Sequence, residues 1–275
     1  MYKFHLCNCN GVAGLRLYPV GKAAKGERED TGRTNVHRKI INDGVSFDNF
    51  EQLIFSNFTV DDYSITLTFS HNVSDEQRKK LIDRFIRRLR KVYAEMGAGL
   101  RYLYVVGRGE RKRALHAHLL CQAAPCRKFR AVLVPKLAIK GLTVRIERIK
   151  GAYAGRGAVE TLKSCIKYLW SHFDSLTAAD KRVYKCRYYP AKWLDRSFKS
   201  AKRRNGDTLK KRLEKAFQKG ADLAAVIERY FPGYKFFCEG WGHTEELRRL
   251  DDYGQVYYRA TLIKRGGLYD MKINE

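Results

Sequence analysis

The stretch LRYLYVVGRGERKRALHAHLLC, residues 100–121, holds two β-rich runs, 100–106 and 114–121, separated by the basic, glycine-bearing segment GRGERKR. Aromatic and branched residues fill both runs, and a short polar link between them predicts an antiparallel hairpin. Side chains alternate between the faces of a strand, so His116 and His118 share one face while Leu115, Ala117 and Leu119 take the other. Two imidazoles pointing the same way suit a metal ion. Imidazole is a neutral ligand, and a pair of them leaves coordination positions open for a phosphate oxygen. The plainer alternative is an unconnected pair of polar surface residues.

The pattern extends on both sides of this hairpin. In DDYSITLTFSHN (61–72), Tyr63, Ile65, Leu67 and Phe69 alternate with Ser64, Thr66, Thr68 and Ser70, the mark of a half-buried strand. A helix follows, with Ser74 and Gln77 as a capping box and Leu81, Phe85, Leu89, Val92 and Met96 as its apolar stripe. Arg84, Arg87, Arg88 and Lys91 cover its far side. After a helix-like 125–138, LTVRIERIK (142–150) reads as another strand. Residues 157–173 then form a helix with Val159, Leu162, Ile166, Leu169 and Phe173 at three-four spacing, and Thr161, Ser164, Tyr168 and His172 together on its polar side. This order of elements predicts an α+β domain in which an antiparallel sheet carries helices on one face.

The flanking regions read less regularly. Residues 1–58 form an N-terminal extension with a polar loop (VGKAAKGEREDTGRTN) and a short helix carrying Phe47, Phe50, Leu53 and Ile54. Residues 59–185 form the central domain, and 186–275 a basic, helical C-terminal region that ends in the alternating run GQVYYRATLIKR. Lys199, Lys202, Arg203, Arg204, Lys210, Lys211 and Arg212 supply that region with cations for duplex DNA or simply with a solvated face.

Composition narrows the partner. The 275 residues carry a formal charge of +26, with 17 Tyr, 14 Phe and 3 Trp, which points to a polyanion whose bases can stack on rings. No apolar run reaches membrane-spanning length and the first residues lack a signal-peptide core, so no membrane partner and a cytoplasmic location are expected. Seven scattered cysteines read as reduced thiols. His5, Cys7 and Cys9 could begin a zinc site, but no second ligand pair follows at finger spacing.

Taken in order, ITLTF, HAHLL and the tyrosine-bearing SCIKYLW resemble the motifs of HUH endonucleases, most closely the replication initiators (Rep proteins) of small plasmids and phages. The lead-in NFEQLIFSNF looks like members found in bacterial mobile elements. The resemblance covers about residues 63–172 and that lead-in. It implies an RRM-like antiparallel sheet backed by helices, the HUH nuclease fold. By position, His116 and His118 correspond to the metal ligands and Tyr168 to the nucleophile, with Mg²⁺ or Mn²⁺ as cofactor. The implied reaction nicks single-stranded origin DNA, leaves a 5′-phosphotyrosine link and a free 3′-hydroxyl, and later rejoins the strand, which starts rolling-circle replication. Origin duplex, a host helicase and a polymerase are the implied partners, since the chain has no G-x-x-x-x-G-K-[ST] loop of its own.

The chain departs from the family pattern in three places. Many relatives carry an acid eight residues before the first histidine. Here that position is Arg108, and Glu110 is the nearest carboxylate and candidate third ligand. The lysine common three residues after the tyrosine is Ser171, which leaves Lys167 and His172 as candidate aids to a phenol whose free pKa lies near 10. The second tyrosine of some relatives is Ser164, so a single nucleophile is expected. Arg101, Arg108, Arg111, Lys112 and Arg113 are the candidate DNA-binding residues, with Tyr102 and Tyr104 as stacking faces if they turn outward. Two alternatives stay open: a non-catalytic nucleic-acid-binding protein on the same scaffold, and a metallo-phosphoesterase in which water attacks.

Overall fold

The computed structural model describes residues 1–20, 36–70, 73–109, 115–124, 137–153, 155, 157–200, 204–237, 248–250, 256–267 and 269. The chain forms two compact units, one made of Met1–Ser56 with Asp195–Glu275 and the other of Asn57–Leu194. The first unit opens with strands β1 (Tyr2–Cys9) and β2 (Val12–Pro19), an antiparallel hairpin paired from Tyr2↔Pro19 to Cys9↔Val12. Its two-residue turn is Asn10–Gly11, both at positive φ (51° and 91°), the backbone geometry that matches strand twist and that Asn-Gly adopts readily. Helix α1 (Val36–Asn57) follows and buries Phe50, Leu53 and Ile54.

The second unit carries β3 (Tyr63–Phe69), α2 (Asp75–Glu95), β4 (Tyr102–Arg108), β5 (Leu115–Cys121), β6 (Leu142–Arg148), α3 (Ile149–Ala152), α4 (Ala158–His172), α5 (Ala178–Val183) and β7 (Tyr189–Pro190). Its sheet is antiparallel throughout, in the order β6-β3-β5-β4-β7. The α+β class and the RRM-like antiparallel sheet are therefore present, with β3 and β5 at the centre. The Ser74–Gln77 capping box starts α2, and that helix buries Ile82, Phe85, Ile86, Leu89, Val92 and Tyr93. Burying a side chain of this size contributes about 1.5–3 kcal/mol, so the stripe fixes α2 firmly. Tyr93 Oη lies 3.6 Å from Cys121 Sγ, which puts α2 on the face of β5 that also carries Leu115, Ala117 and Leu119. Helix α4 lies over the other face, the one that carries the histidines. The helix-like segment expected at 125–138 falls almost wholly outside the described residues.

The chain then returns to complete the first unit with β8 (Arg204–Asn205), α6 (Asp207–Gln218), α7 (Leu223–Tyr230), β9 (Tyr234–Phe237), β10 (Arg248–Leu250) and β11 (Val256–Lys264). Its sheet runs β10-β11-β2-β1-β8, with β9 also paired to β11. Phe4, Leu15 and Leu17 from the hairpin pack in one core with Leu209, Leu213, Leu223 and Ile227 from α6 and α7 and with Tyr258 and Leu262 from β11. This differs from the expected division into 1–58, 59–185 and 186–275. The N-terminal segment is not an appendage, because the apolar face of β1 and β2 is closed by strand and helices from the other end of the chain. Among the described residues, no helix is long and apolar enough to cross a membrane.

Candidate active site

Register on the sheet builds the site. His118 on β5 lies opposite Thr66 on β3 and Val105 on β4, and His116 lies opposite Thr68 and Gly107. Helix α4 crosses above and lowers Tyr168 and His172, one turn apart, onto that face. The ligand nitrogens of His116, His118 and His172 all lie within 4.8 Å of one another. His116 Nε2 and His172 Nε2 are 3.0 Å apart, and the rings of His118 and His172 are 4.5 Å apart. Tyr168 stands at the open edge of this cluster. It is 44% exposed, yet its Oη is 3.4 Å from His118 Nε2. The ring of Tyr153, whose Oη is bonded to Ser64 Oγ, meets the Tyr168 ring edge-on at 5.6 Å.

Hydrogen bonds around the cluster fix which nitrogens face inward. His172 Nδ1 is 2.7 Å from the carbonyl oxygen of Tyr168. A carbonyl only accepts, so Nδ1 carries the proton and Nε2 presents its lone pair to the cluster. His118 Nδ1 is 3.2 Å from the Thr66 hydroxyl, which accepts a proton from it and leaves Nε2 in the same state. Burial, reinforced by His172 and His116, holds the His118 imidazole far below its ordinary value, to about 2. Burial lowers His172 as well. Both rings are thus neutral at pH 7, the form that binds metal.

Backbone geometry explains how α4 comes so close. A Cβ on Gly107 would fall 2.6 Å from His172 Cδ2, 2.7 Å from its Cβ and 2.8 Å from its carbonyl oxygen, so only glycine fits beneath the end of the helix. Past that end, Ser175 Oγ donates to the His172 carbonyl and accepts from Arg108 N–H. Arg108 in turn grips Asp180 with two bonds, Nε–Oδ2 at 2.7 Å and Nη2–Oδ1 at 2.8 Å. Burial alone would raise the Asp180 carboxyl, but Arg108 and Thr177 outweigh it and hold the group at about 2.

Three neutral imidazoles form a donor set that a divalent ion fits. Nitrogen donors suit ions such as Zn²⁺, Fe²⁺ or Ni²⁺ better than Mg²⁺, which takes oxygen ligands, so the expected Mg²⁺ matches this set poorly. The third ligand in this cluster is His172, where a carboxylate, Glu110, was expected. Glu110 lies outside the described residues, as do Arg111, Lys112 and Arg113.

Other expected site residues sit elsewhere. Arg108 is spent on Asp180 rather than turned toward a phosphate. Arg101 lies beyond the far end of β4, about 13 Å along the strand from Val105 at 3.3 Å per residue, and bonds Gln122. Tyr102 and Tyr104 are buried, and Tyr104 stacks on Tyr189 at 4.6 Å, so neither offers a face to a base. Lys167 is exposed, about 100° around α4 from Tyr168. His5 Nδ1 lies 3.2 Å from Cys7 Sγ, but burial pushes the Cys7 thiol up and that of Cys9 up to about 12. Protonated thiols are poor zinc ligands. Among the described residues, His116, His118 and His172 are the one group of three or more candidate ligands.

Sequence reasoning put His172 on the face of Tyr168 but took it for an aid to the phenol. Thr66 and Gly107 went unnoticed, although both lie in the strands that flank the HAH run. With the geometry in place, comparison with known proteins adds an independent observation. Residues 62–189 match the family of the replication-associated protein ORF2. The matched span contains His116, His118, Tyr168 and His172, and it supports a protein of the replication-initiator type. No curated protein matches the chain. One crystal structure, of the hypothetical protein ORF119 from Sulfolobus islandicus rod-shaped virus 1, is similar at a TM-score of 0.31 and 16% identity, over 48% of this chain and 97% of that one. That likeness is too distant to bear on fold or activity.

Proposed function

We propose that the protein is a single-tyrosine replication initiator of the HUH type that nicks single-stranded origin DNA. The observation that carries this reading is the placement of the Tyr168 hydroxyl 3.4 Å from His118 Nε2, at the exposed edge of the histidine cluster. His116, His118 and His172 would hold a divalent ion through Nε2. Such an ion supplies Lewis-acid polarisation of the scissile phosphate and neutralises charge that develops on its oxygens.

The chain's own residues do the rest. The Tyr168 oxygen attacks phosphorus as the phenol gives its proton to water. The new bond joins that oxygen to phosphorus, and the bond from phosphorus to the 3′ oxygen breaks. That oxygen takes the electron pair and a proton, leaving a 3′-hydroxyl able to prime a polymerase and a 5′-phosphotyrosine that keeps the diester's free energy for rejoining. His172 ties the backbone of Tyr168 through Nδ1, and Tyr153 backs its ring, so the phenol is held in place before the strand arrives. Lys167, exposed on the same helix, is placed to meet the phosphates of the strand. Ser164 at the position one turn earlier leaves one nucleophile for each site.

The test is incubation of the full chain with single-stranded oligonucleotides and Mn²⁺. A covalent protein–DNA band that disappears in Tyr168→Phe and His118→Ala supports the reading. Cleavage that survives Tyr168→Phe assigns the attack to water, and binding without cleavage leaves a nucleic-acid-binding protein.

A further inference from the structure

The stripe Arg84, Arg87, Arg88 and Lys91 on α2 is absorbed neither by the fold nor by the catalytic site. These residues follow i, i+3, i+4, i+7 spacing, so they occupy about 100° of the helix circumference over about 10 Å of its length. Arg84, Arg87 and Lys91 are exposed, and the four line an open hollow of about 570 Å³. Arg88 anchors to the carbonyl oxygen of Ala138. Among the described residues, none of the four has a carboxylate partner, and no acid interrupts the chain between Arg84 and Lys91. Like charges three and four residues apart destabilise a helix, so the fold gains nothing from the stripe by itself. A polyanion lying along it would offset that repulsion.

We infer that this face of α2 binds the phosphate backbone of duplex DNA. The nearby aromatic side chains, Phe85 and Tyr93, are buried, so the stripe lacks the stacking platforms that single-strand binding uses and offers phosphate contacts alone. It also faces away from the histidine cluster. Helix α2 covers the Leu115, Ala117, Leu119 face of β5, and the cluster lies on the other side of the sheet. A backbone on the stripe is therefore not the one presented to Tyr168 but a flanking duplex. This assignment rests on the proposed initiator role for the reason a duplex is at hand.

The test measures binding of the full chain to a labelled duplex and to a single strand of the same length, over a range of salt and in EDTA so that no cleavage intervenes. Arg84→Gln, Arg87→Gln and Lys91→Gln combined should flatten the salt dependence of duplex binding by about 2–3 in log–log slope, since each lost phosphate contact removes about 0.9. Single-strand binding and single-strand adduct formation should be unchanged, and Arg84→Lys with Arg87→Lys should behave as the parent. An unchanged duplex slope overturns the inference, and so does an equal loss on both probes. Adduct formation is read separately on single strands, so failure of the catalytic reading and failure of this surface give different results.

Discussion

Replacing Gly107 by alanine probes the packing that assembles the site. The added Cβ would meet His172 Cδ2 at 2.6 Å, whereas carbon atoms rest at about 3.5 Å or more, so the end of α4 must retreat by about 0.9 Å. Strand β4 cannot yield instead, because it is paired with β5 along its length and with β7 at Leu103 and Tyr104. Overpacking of this kind costs about 1–3 kcal/mol. The larger effect falls on the cluster. Ligand distances tolerate only about 0.2 Å, and disturbing the support of one ligand lowers metal affinity about 10–100-fold. Isothermal titration with Zn²⁺ measures the affinity, and denaturant unfolding of the same variant measures the packing cost. Unaltered affinity and stability in Gly107→Ala would show that glycine is not what admits His172 to the cluster.

Three further outcomes follow from the same geometry. Thr66→Val removes the acceptor for His118 Nδ1 and should weaken metal binding about 10–100-fold, with Thr66→Ser restoring it; equal affinity in Val and Ser variants would show that the hydroxyl does not orient the ring. Thermal shift should rank Ni²⁺ and Zn²⁺ above Mn²⁺ and Mn²⁺ above Mg²⁺, as nitrogen donors dictate, and a shift with Mg²⁺ as large as with Zn²⁺ would contradict a three-imidazole site. Asp180 has a carboxyl lowered to about 2 in the fold, so its pair with Arg108 stabilises the protein at neutral pH and that contribution is lost as pH falls from about 4 toward 2. The loss is about 2 kcal/mol by that shift, and it should be absent from the acid unfolding curve of Asp180→Asn relative to its own neutral-pH stability.

What could be read from sequence is what depends on near neighbours. Alternation in 63–69 and 115–121 marks β3 and β5, Ser74 and Gln77 mark the start of α2, and the three-four spacing of 157–173 marks α4, because each pattern is a property of a few consecutive residues. The shared face of His116 and His118 belongs to the same class. The closure of the cluster by His172 does not, since it depends on α4 crossing β5 at a distance of 56 residues in the chain. Arg108 reads as a phosphate contact from its basic surroundings, and only the fold brings it Asp180 from 72 residues away. The N-terminal hairpin carried a local signal, Asn10–Gly11 between alternating runs, yet its partner strand β11 is near the other terminus, so its place in a second sheet was not visible from either end.

The proposed mechanism stands on the Tyr168 oxygen forming the bond to phosphorus. Mass spectrometry of peptides from the protein, after reaction with a single-stranded oligonucleotide and Mn²⁺, reads that bond without an intermediary. A nucleotide phosphate is expected on the peptide that holds Tyr168, and none in Tyr168→Phe. Cut DNA bearing a free 5′-phosphate, with Tyr168 unmodified and the Tyr168→Phe protein equally active, would contradict it.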